Sequence, residues 1–167
     1  MTMSPKLRLG KVAYGRAILC TQPIAEGESI FDLVGRLVRV PAMHTLQIDE
    51  HSHLDPDDAS WAMINHSCSP NCVIDLATRR VIASRAISPG EELTFNYLTT
   101  EWDMATPFPC TCGSAHCPGW IRGFRFLDAA QRAAIASGAA PYLMRLASRD
   151  AARERDRALS EDGAGTR

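Results

Sequence analysis

The sequence predicts a mostly β domain followed by a helical segment at its C-terminal end. Three observations carry this. The first hundred residues are short apolar or mixed runs separated by turn signals. One strand–turn–strand pattern occurs twice. After Leu127 the composition changes to Ala-rich sequence with helix start and stop signals.

Taken in order, residues 17–20 and 29–34 read as strands divided by the turn pair Glu26-Gly27. Residues 73–77 and 81–86 flank Thr78-Arg79 and read as a hairpin. Residues 93–97 follow the turn pair Pro89-Gly90. The segments 24–30 and 87–93 share the pattern I-x-x-G-E-x-[I/L], so both halves use the same strand–turn–strand device. Asp128 followed by Gln131 has the form of a capping box, Ala-rich residues 129–137 continue as a helix, and Gly138 stops it. Pro141 can open a second helix, with Leu143, Leu146 and Ala147 on one side. Beyond Ser148 charges alternate and almost no apolar face remains; the i,i+3 pairs there contribute only about 0.2–0.5 kcal/mol each. The expected division is a main domain over 1–109, a cysteine loop over 110–126, a helical segment over 127–158 and a disordered tail over 159–167.

The chain of 167 residues suits one domain with a short appendage, and 46% hydrophobic residues supply a core. A formal net charge of −1 argues against direct nucleic-acid binding. No apolar run approaches the ~18 residues of a membrane helix, so no membrane partner is expected. The N-terminal residues lack the apolar core of a secretory signal, which points to a cytoplasmic protein and leaves open secretion that needs no such signal. In a reducing compartment the six cysteines point to metal or catalysis before disulfides.

The strongest chemical signal is Cys110-Thr111-Cys112-Gly113-Ser114-Ala115-His116-Cys117. C-x-C-x₄-C places three thiols in one tight loop, and tetrahedral zinc takes four thiolate or imidazole ligands. His116 is local, but it adjoins Cys117, and neighbouring side chains seldom meet one ion. Cys68 is the better fourth ligand if the chain folds back. The plain alternative is free or disulfide-paired cysteines. A second signal is Asn65-His66-Ser67-Cys68-Ser69-Pro70-Asn71-Cys72, polar and dense after the apolar 61–64. A nucleophilic Cys68 paired with His66 can be argued from it, but no orienting group or oxyanion hole is legible. The third signal, Gly90-Glu91-Glu92-Leu93-Thr94-Phe95-Asn96-Tyr97, is by itself a turn and a strand ending in aromatics.

In this order, N-H-S-C-x-P-N, G-E-E-L-x-F-x-Y and C-x-C-x₄-C resemble the SET-domain protein lysine methyltransferases with a post-SET zinc loop, over about residues 10–126. The segment 45–49 also resembles the strand that precedes N-H-S-C in small members, and the Ala- and Arg-rich composition suggests a bacterial source. The resemblance implies the SET (β-clip) fold of small sheets, with a threaded, pseudoknot-like C-terminal segment. It implies S-adenosylmethionine as methyl donor, one structural zinc ion, and a lysine-containing protein as substrate. Tyr97 would be the catalytic tyrosine. Tyr14, Gly15, Arg16, Asn65, His66, Tyr97 and Trp120 would bind the cofactor, with Ile121 beside Trp120 over the cofactor or lysine channel. Cys68, Cys110, Cys112 and Cys117 would hold the zinc. Phe95 would govern how many methyl groups are added, and His44 would stand where many relatives have a channel tyrosine. Ala13 replaces the first glycine of a G-x-G segment, and Asn96 stands where aspartate is commoner. These departures motivate two other readings: a catalytically weak SET-like binding module, and a methyltransferase for a non-histone or non-protein amine.

The implied chemistry is physically consistent. Methyl transfer needs a neutral amine, and a free lysine with pKa ~10.4 is neutral about once in 2,500 molecules at pH 7, a cost near ~4.6 kcal/mol. A narrow apolar channel next to a sulfonium cation lowers that pKa by desolvation and like charge.

Overall fold

The computed structural model describes residues 4–58 and 61–164. The chain begins with an antiparallel hairpin of β1 (Leu7–Val12) and β2 (Gly15–Cys20), closed by Ala13-Tyr14. Strands β3 (Ser29–Asp32), β4 (Gly35–Val38), β5 (Leu46–Gln47) and β6 (His53–Pro56) follow. Then come β7 (Asn65–His66), β8 (Cys72–Asp75), β9 (Arg80–Ala83) and β10 (Thr94–Phe95). The last strands are β11 (Phe108–Pro109) and β12 (Trp120–Ile121), and two helices end the chain, α1 (Ala129–Ile135) and α2 (Pro141–Ala164). The strands form small sheets: β3-β9-β8 and β4-β6-β5 are antiparallel, β11 pairs with β12, and β7 lies parallel to β10.

The strands are shorter than the sequence suggests, for local reasons. Residues 93–97 pair only over Thr94–Phe95, because Asn96 Oδ1 accepts from the Leu98 N–H and caps a 3₁₀ turn over Tyr97–Thr99. The turn between β8 and β9 spans 76–79, and Arg79 takes φ 53° to close it.

The repeated pattern is repeated in hydrogen bonds as well. Ile24 and Ile87 bridge each other, N to O in both directions at 3.0 and 2.9 Å. Gly27 donates to Ala83 O and Gly90 to Cys20 O, each 2.8 Å, and each acceptor lies four residues before the partner's isoleucine. Glu28 accepts from the Ala25 N–H as Glu91 accepts from Ser88. The two turns are thus joined about an approximate two-fold axis, and their glycines, at φ 79° and 92°, sit where a side chain would be strained.

Two hydrophobic clusters fill the interior. The first joins β2, β3, β5, β6, β8 and β9 through Ile18, Phe31, Leu46, Leu54, Cys72 and Val81, with Ile64 and Leu93 packed among them. The second joins Leu98, Ile121 and Phe124 to Tyr142, Leu143 and Ala147 of α2. Tyr97 packs against both. The helices are therefore part of the domain's packing. Asp128 and Gln131 form the expected capping box at α1. The first turns of α2 are held by the Tyr142 hydroxyl, which donates to Gln47 O (2.8 Å) and Thr100 O (2.7 Å). The helix continues to Ala164, six residues past 158, where a disordered tail was expected; positions 165–167 lie outside the described residues.

Candidate active site and cysteine cluster

The parallel pairing of β7 with β10 sets Asn65 beside Thr94 and His66 beside Phe95. Two flanking residues lock this arrangement. Asn71 donates to Glu92 O at 2.8 Å and accepts from the Thr94 N–H at 2.9 Å. Ser67 N–H donates to Phe95 O at 3.1 Å. The N-H-S-C and G-E-E-L-x-F-x-Y segments, distant in sequence, become neighbours.

Tyr97 is the junction of the site. Its hydroxyl donates to Ile64 O at 2.8 Å. Its ring meets Phe95 (4.7 Å between centroids), His66 (5.3 Å) and Phe108 (6.1 Å). Burial first, then the negative charge of Glu101 and Glu92, holds its phenol well above the ordinary value. The group is a protonated donor, and it stands between two regions.

On one side is a small open pocket. It is lined by His44, Trp61, Ile64, Phe95, Tyr97 and Glu101, with Met43 and Met104 among the other wall residues. His44, Phe95 and Tyr97 therefore share one pocket. Glu101, whose importance the sequence did not reveal, is in the same wall and only 7% exposed. Burial lifts its carboxyl to about 7 against the opposing hydrogen bonds from Gln47 N–H and Thr100 Oγ1.

On the other side the tip of the β1–β2 hairpin meets β7. Asn65 Nδ2 donates to Arg16 O (2.8 Å) and to Glu92 Oε1 (2.7 Å), and the Tyr14 hydroxyl donates to Glu92 Oε2. Tyr14 is otherwise exposed, and burial with the adjacent Glu92 carboxylate raises its phenol to about 12. Glu92 thus ties Tyr14, Arg16 and Asn65 into one patch; in the sequence it was only one letter of a motif. Ala13 lies in the exposed two-residue turn with no positive φ, so the backbone there does not require glycine. Gly15, at φ 141°, is the residue of that tip that must be glycine.

His66 connects Tyr97 to the cysteines. Its Nδ1 accepts from the Tyr97 N–H at 3.1 Å, so in the neutral ring Nε2 carries the proton. That Nε2 lies 3.3 Å from Cys68 Sγ and donates to it. Burial brings the imidazole down to about 4, so it stays neutral at physiological pH.

The Sγ atoms of Cys68, Cys110, Cys112 and Cys117 all lie within 4.8 Å of one another. Thiolates at ~2.3 Å around tetrahedral zinc stand about 3.8 Å apart, so this donor set fits the ion. Burial pushes the Cys68 thiol up and lifts Cys110 to about 11. For Cys112 burial is outweighed by the Ser114 and Cys68 N–H groups and by hydrogen bonds to the other thiols, and it falls to about 7. His116 is exposed and outside the set, while Cys20 and Cys72 are buried elsewhere.

The β11–β12 hairpin places Trp120 beside Pro109 and leaves it 57% exposed. Ile121, expected over the cofactor or channel, is instead fully buried in the second cluster, because its side chain points to the opposite face from Trp120.

This geometry coincides with a known pattern. The family model for the SET domain matches residues 15–98, half of the chain. The chain belongs to the SET-domain family. Among similar proteins, methyltransferase flvH of Aspergillus flavus is 51% identical over 67 residues, 39% of this chain and 38% of flvH. The H3 lysine-4 specific histone-lysine N-methyltransferase of Emericella nidulans is 34% identical over 122 residues, covering 59% of this chain and 10% of that enzyme. The crystal structure of KRYPTONITE in complex with mCHG DNA and SAH superposes with TM-score 0.56 at 26% identity, over 72% of this chain and 30% of that one. The chain thus spans well under half the length of each of these proteins. Among the described residues, no helix is long and apolar enough to cross a membrane.

Proposed function

We propose that this SET domain transfers a methyl group from S-adenosylmethionine to the side-chain amine of a protein lysine. The observation that carries this reading is the position of Tyr97, a protonated phenol in the wall shared by the His44–Phe95–Glu101 pocket and close to the patch built by Glu92. The names of the relatives, a methyltransferase and a histone-lysine N-methyltransferase, support it. So does SAH in the KRYPTONITE complex.

In this reading Tyr14, Gly15, Arg16, Asn65 and His66 hold the cofactor, and exposed Trp120 can close over it. The fit rests on the convergence of Tyr14, Arg16 and Asn65 at Glu92, with Asn65 tied to the backbone at Arg16. When bound, the cofactor supplies an electrophilic sulfonium methyl group. Phe95, Trp61 and Ile64 give the target side chain apolar walls, which exclude water and favour the neutral amine. The Tyr97 hydroxyl and the Ile64 carbonyl orient that amine. Cys68, Cys110, Cys112 and Cys117 hold a structural zinc ion, and the His66 Nε2–H supports its Cys68 ligand. The metal fastens the hairpin that carries Phe108 against His66 and Tyr97.

The substrate class is a lysine-containing protein. The test is mass spectrometry of cell lysates incubated with the protein and cofactor carrying a labelled methyl group. Labelled methyl-lysine that depends on Tyr97 is the expected result; label confined to small amines, or none, would replace this reading with one of its alternatives.

A further inference from the structure

Among the described residues, Glu101 is the one buried carboxyl group in the wall of the pocket. Its backbone is clamped, since the Phe124 N–H donates to Glu101 O at 2.8 Å and the preceding carbonyl, Thr100 O, accepts from Tyr142. Gly123 makes the clamp possible, because a Cβ there would sit 2.4 Å from Trp102 O. Both donors to the Glu101 side chain, the Gln47 backbone N–H and Thr100 Oγ1, go to Oε1. Oε2 has no donor among the described residues. No arginine, lysine or histidine contributes to its ionisation. The titratable groups that face it are Tyr97 from the 3₁₀ turn and Tyr142 from α2, with Asp49 beyond β5 acting on Tyr142 and His44 elsewhere in the pocket wall. Among the described residues Oε2 thus has no protein donor, is not sealed from solvent, and has no basic side chain acting on it, so it is open to a cationic partner entering the pocket.

We propose that Glu101 is the receptor for the target amine: its Oε2 binds the incoming ammonium group and accepts its proton. This rests on the lysine-methylation reading. In the step, one N–H bond of the ammonium breaks and an O–H bond forms on Oε2. The electron pair stays on nitrogen, leaving a neutral amine beside Tyr97 and a neutral carboxyl group in an apolar wall. The proton later leaves to solvent through the open mouth of the pocket. An ammonium ion is the abundant form of a lysine in water, so the receptor lets the pocket capture that form before it becomes the reactive one. Oε1 remains fixed by its two donors throughout.

The test needs neither cofactor nor substrate protein. The probe is n-butylammonium chloride, which has the four-carbon stem of lysine, with 1-butanol as its neutral counterpart. The Glu101 carboxyl resonance is followed by NMR in protein carrying ¹³C-labelled glutamate. Its titration midpoint should fall by a pH unit or more in saturating n-butylammonium and stay unmoved in 1-butanol. Glu101→Gln, which keeps an acceptor for Gln47 and Thr100, should bind n-butylammonium at least tenfold more weakly. An unmoved midpoint overturns the proposal, as does equal affinity in a folded Glu101→Gln variant; the wild-type titration stands even if that variant does not fold. Amine binding through Glu101 without methyl transfer to any protein would keep this assignment and remove the proposed function. Methyl transfer with no response of Glu101 would do the reverse.

Discussion

The Tyr97 phenol differs from an ordinary surface tyrosine because its surroundings penalise the phenolate: it is buried, and the nearby carboxyl groups are anionic. Removing only the hydroxyl isolates what it does. Tyr97→Phe should fold normally, bind cofactor almost as tightly, and transfer methyl groups at least ten times more slowly; stopped time courses with labelled cofactor measure this. Phe95, 4.7 Å from the Tyr97 ring, tests the pocket's size in a second way. A phenylalanine leaves space where a tyrosine hydroxyl would hold the amine or a water. Wild type should therefore form di- or trimethyl-lysine, and Phe95→Tyr should shift the products toward monomethyl-lysine in a mass-spectrometric time course with excess cofactor. His44 in the same wall is the polar group able to restore the restriction, so a wild type that stops at monomethyl-lysine makes it the next residue to change.

Among elements, the β11–β12 hairpin depends most on something outside itself. Its pairing is only two residues long, Phe108 with Ile121 and Pro109 with Trp120, too little to be stable alone. Four thiols clustered at its base and at the end of β7 supply the restraint when they bind zinc. Cys112→Ser should abolish the expected one zinc per chain, measured by elemental mass spectrometry of reduced protein. It should also speed backbone hydrogen exchange after Phe108, while β3, β8 and β9 exchange as before. Because Phe108 packs on Tyr97 and His66, methyl transfer should fall with the metal although no ligand lines the pocket.

Across the whole molecule, α2 supports the pocket from behind. Leu143 is fully buried in the second cluster, and Tyr142 bonds the two segments that carry Gln47 and Thr100. Leu143→Ala should cost about 3 kcal/mol in denaturant unfolding and lower activity, since the wall bearing Glu101 loses its backing. By comparison, the exposed pairing of Arg145 and Arg149 with Glu50 should contribute little. Glu101 also links stability to pH. Its carboxyl titrates near 7 in the folded protein and near 4.5 when unfolded, so between those values the folded state holds a proton that the unfolded state has lost. Stability then falls as pH rises through that window. Relative to wild type, Glu101→Gln should gain about 3 kcal/mol between about pH 4 and pH 8, read from paired unfolding curves.

The sequence by itself determined whatever depends on local chemistry or fixed spacing. The turns at Gly27 and Gly90, the capping box at Asp128 and Gln131, the three-thiol loop and the aromatic run ending in Tyr97 are all set within a few residues of chain, where backbone preference and side-chain reach are decided. Cys68 could be named beside that loop only on the condition that the chain folds back, and the fold does bring its Sγ to the other three. Tertiary structure decided what needs distant segments to meet. Glu92 looks like any turn carboxylate until the β1–β2 tip and Asn65 arrive on its two oxygens. Glu101 looks like a solvated charge until Gln47, Phe124 and Tyr142 bury it, and Ile121 becomes core because its alternation in β12 faces α2 instead of the pocket. The start of α2 at Pro141 was legible, whereas its anchoring was not, because Tyr142 and Arg145 bond to residues almost a hundred positions earlier. Burial and long-range pairing are properties of the assembled chain, and they turn carboxyl groups of ordinary appearance into members of a site.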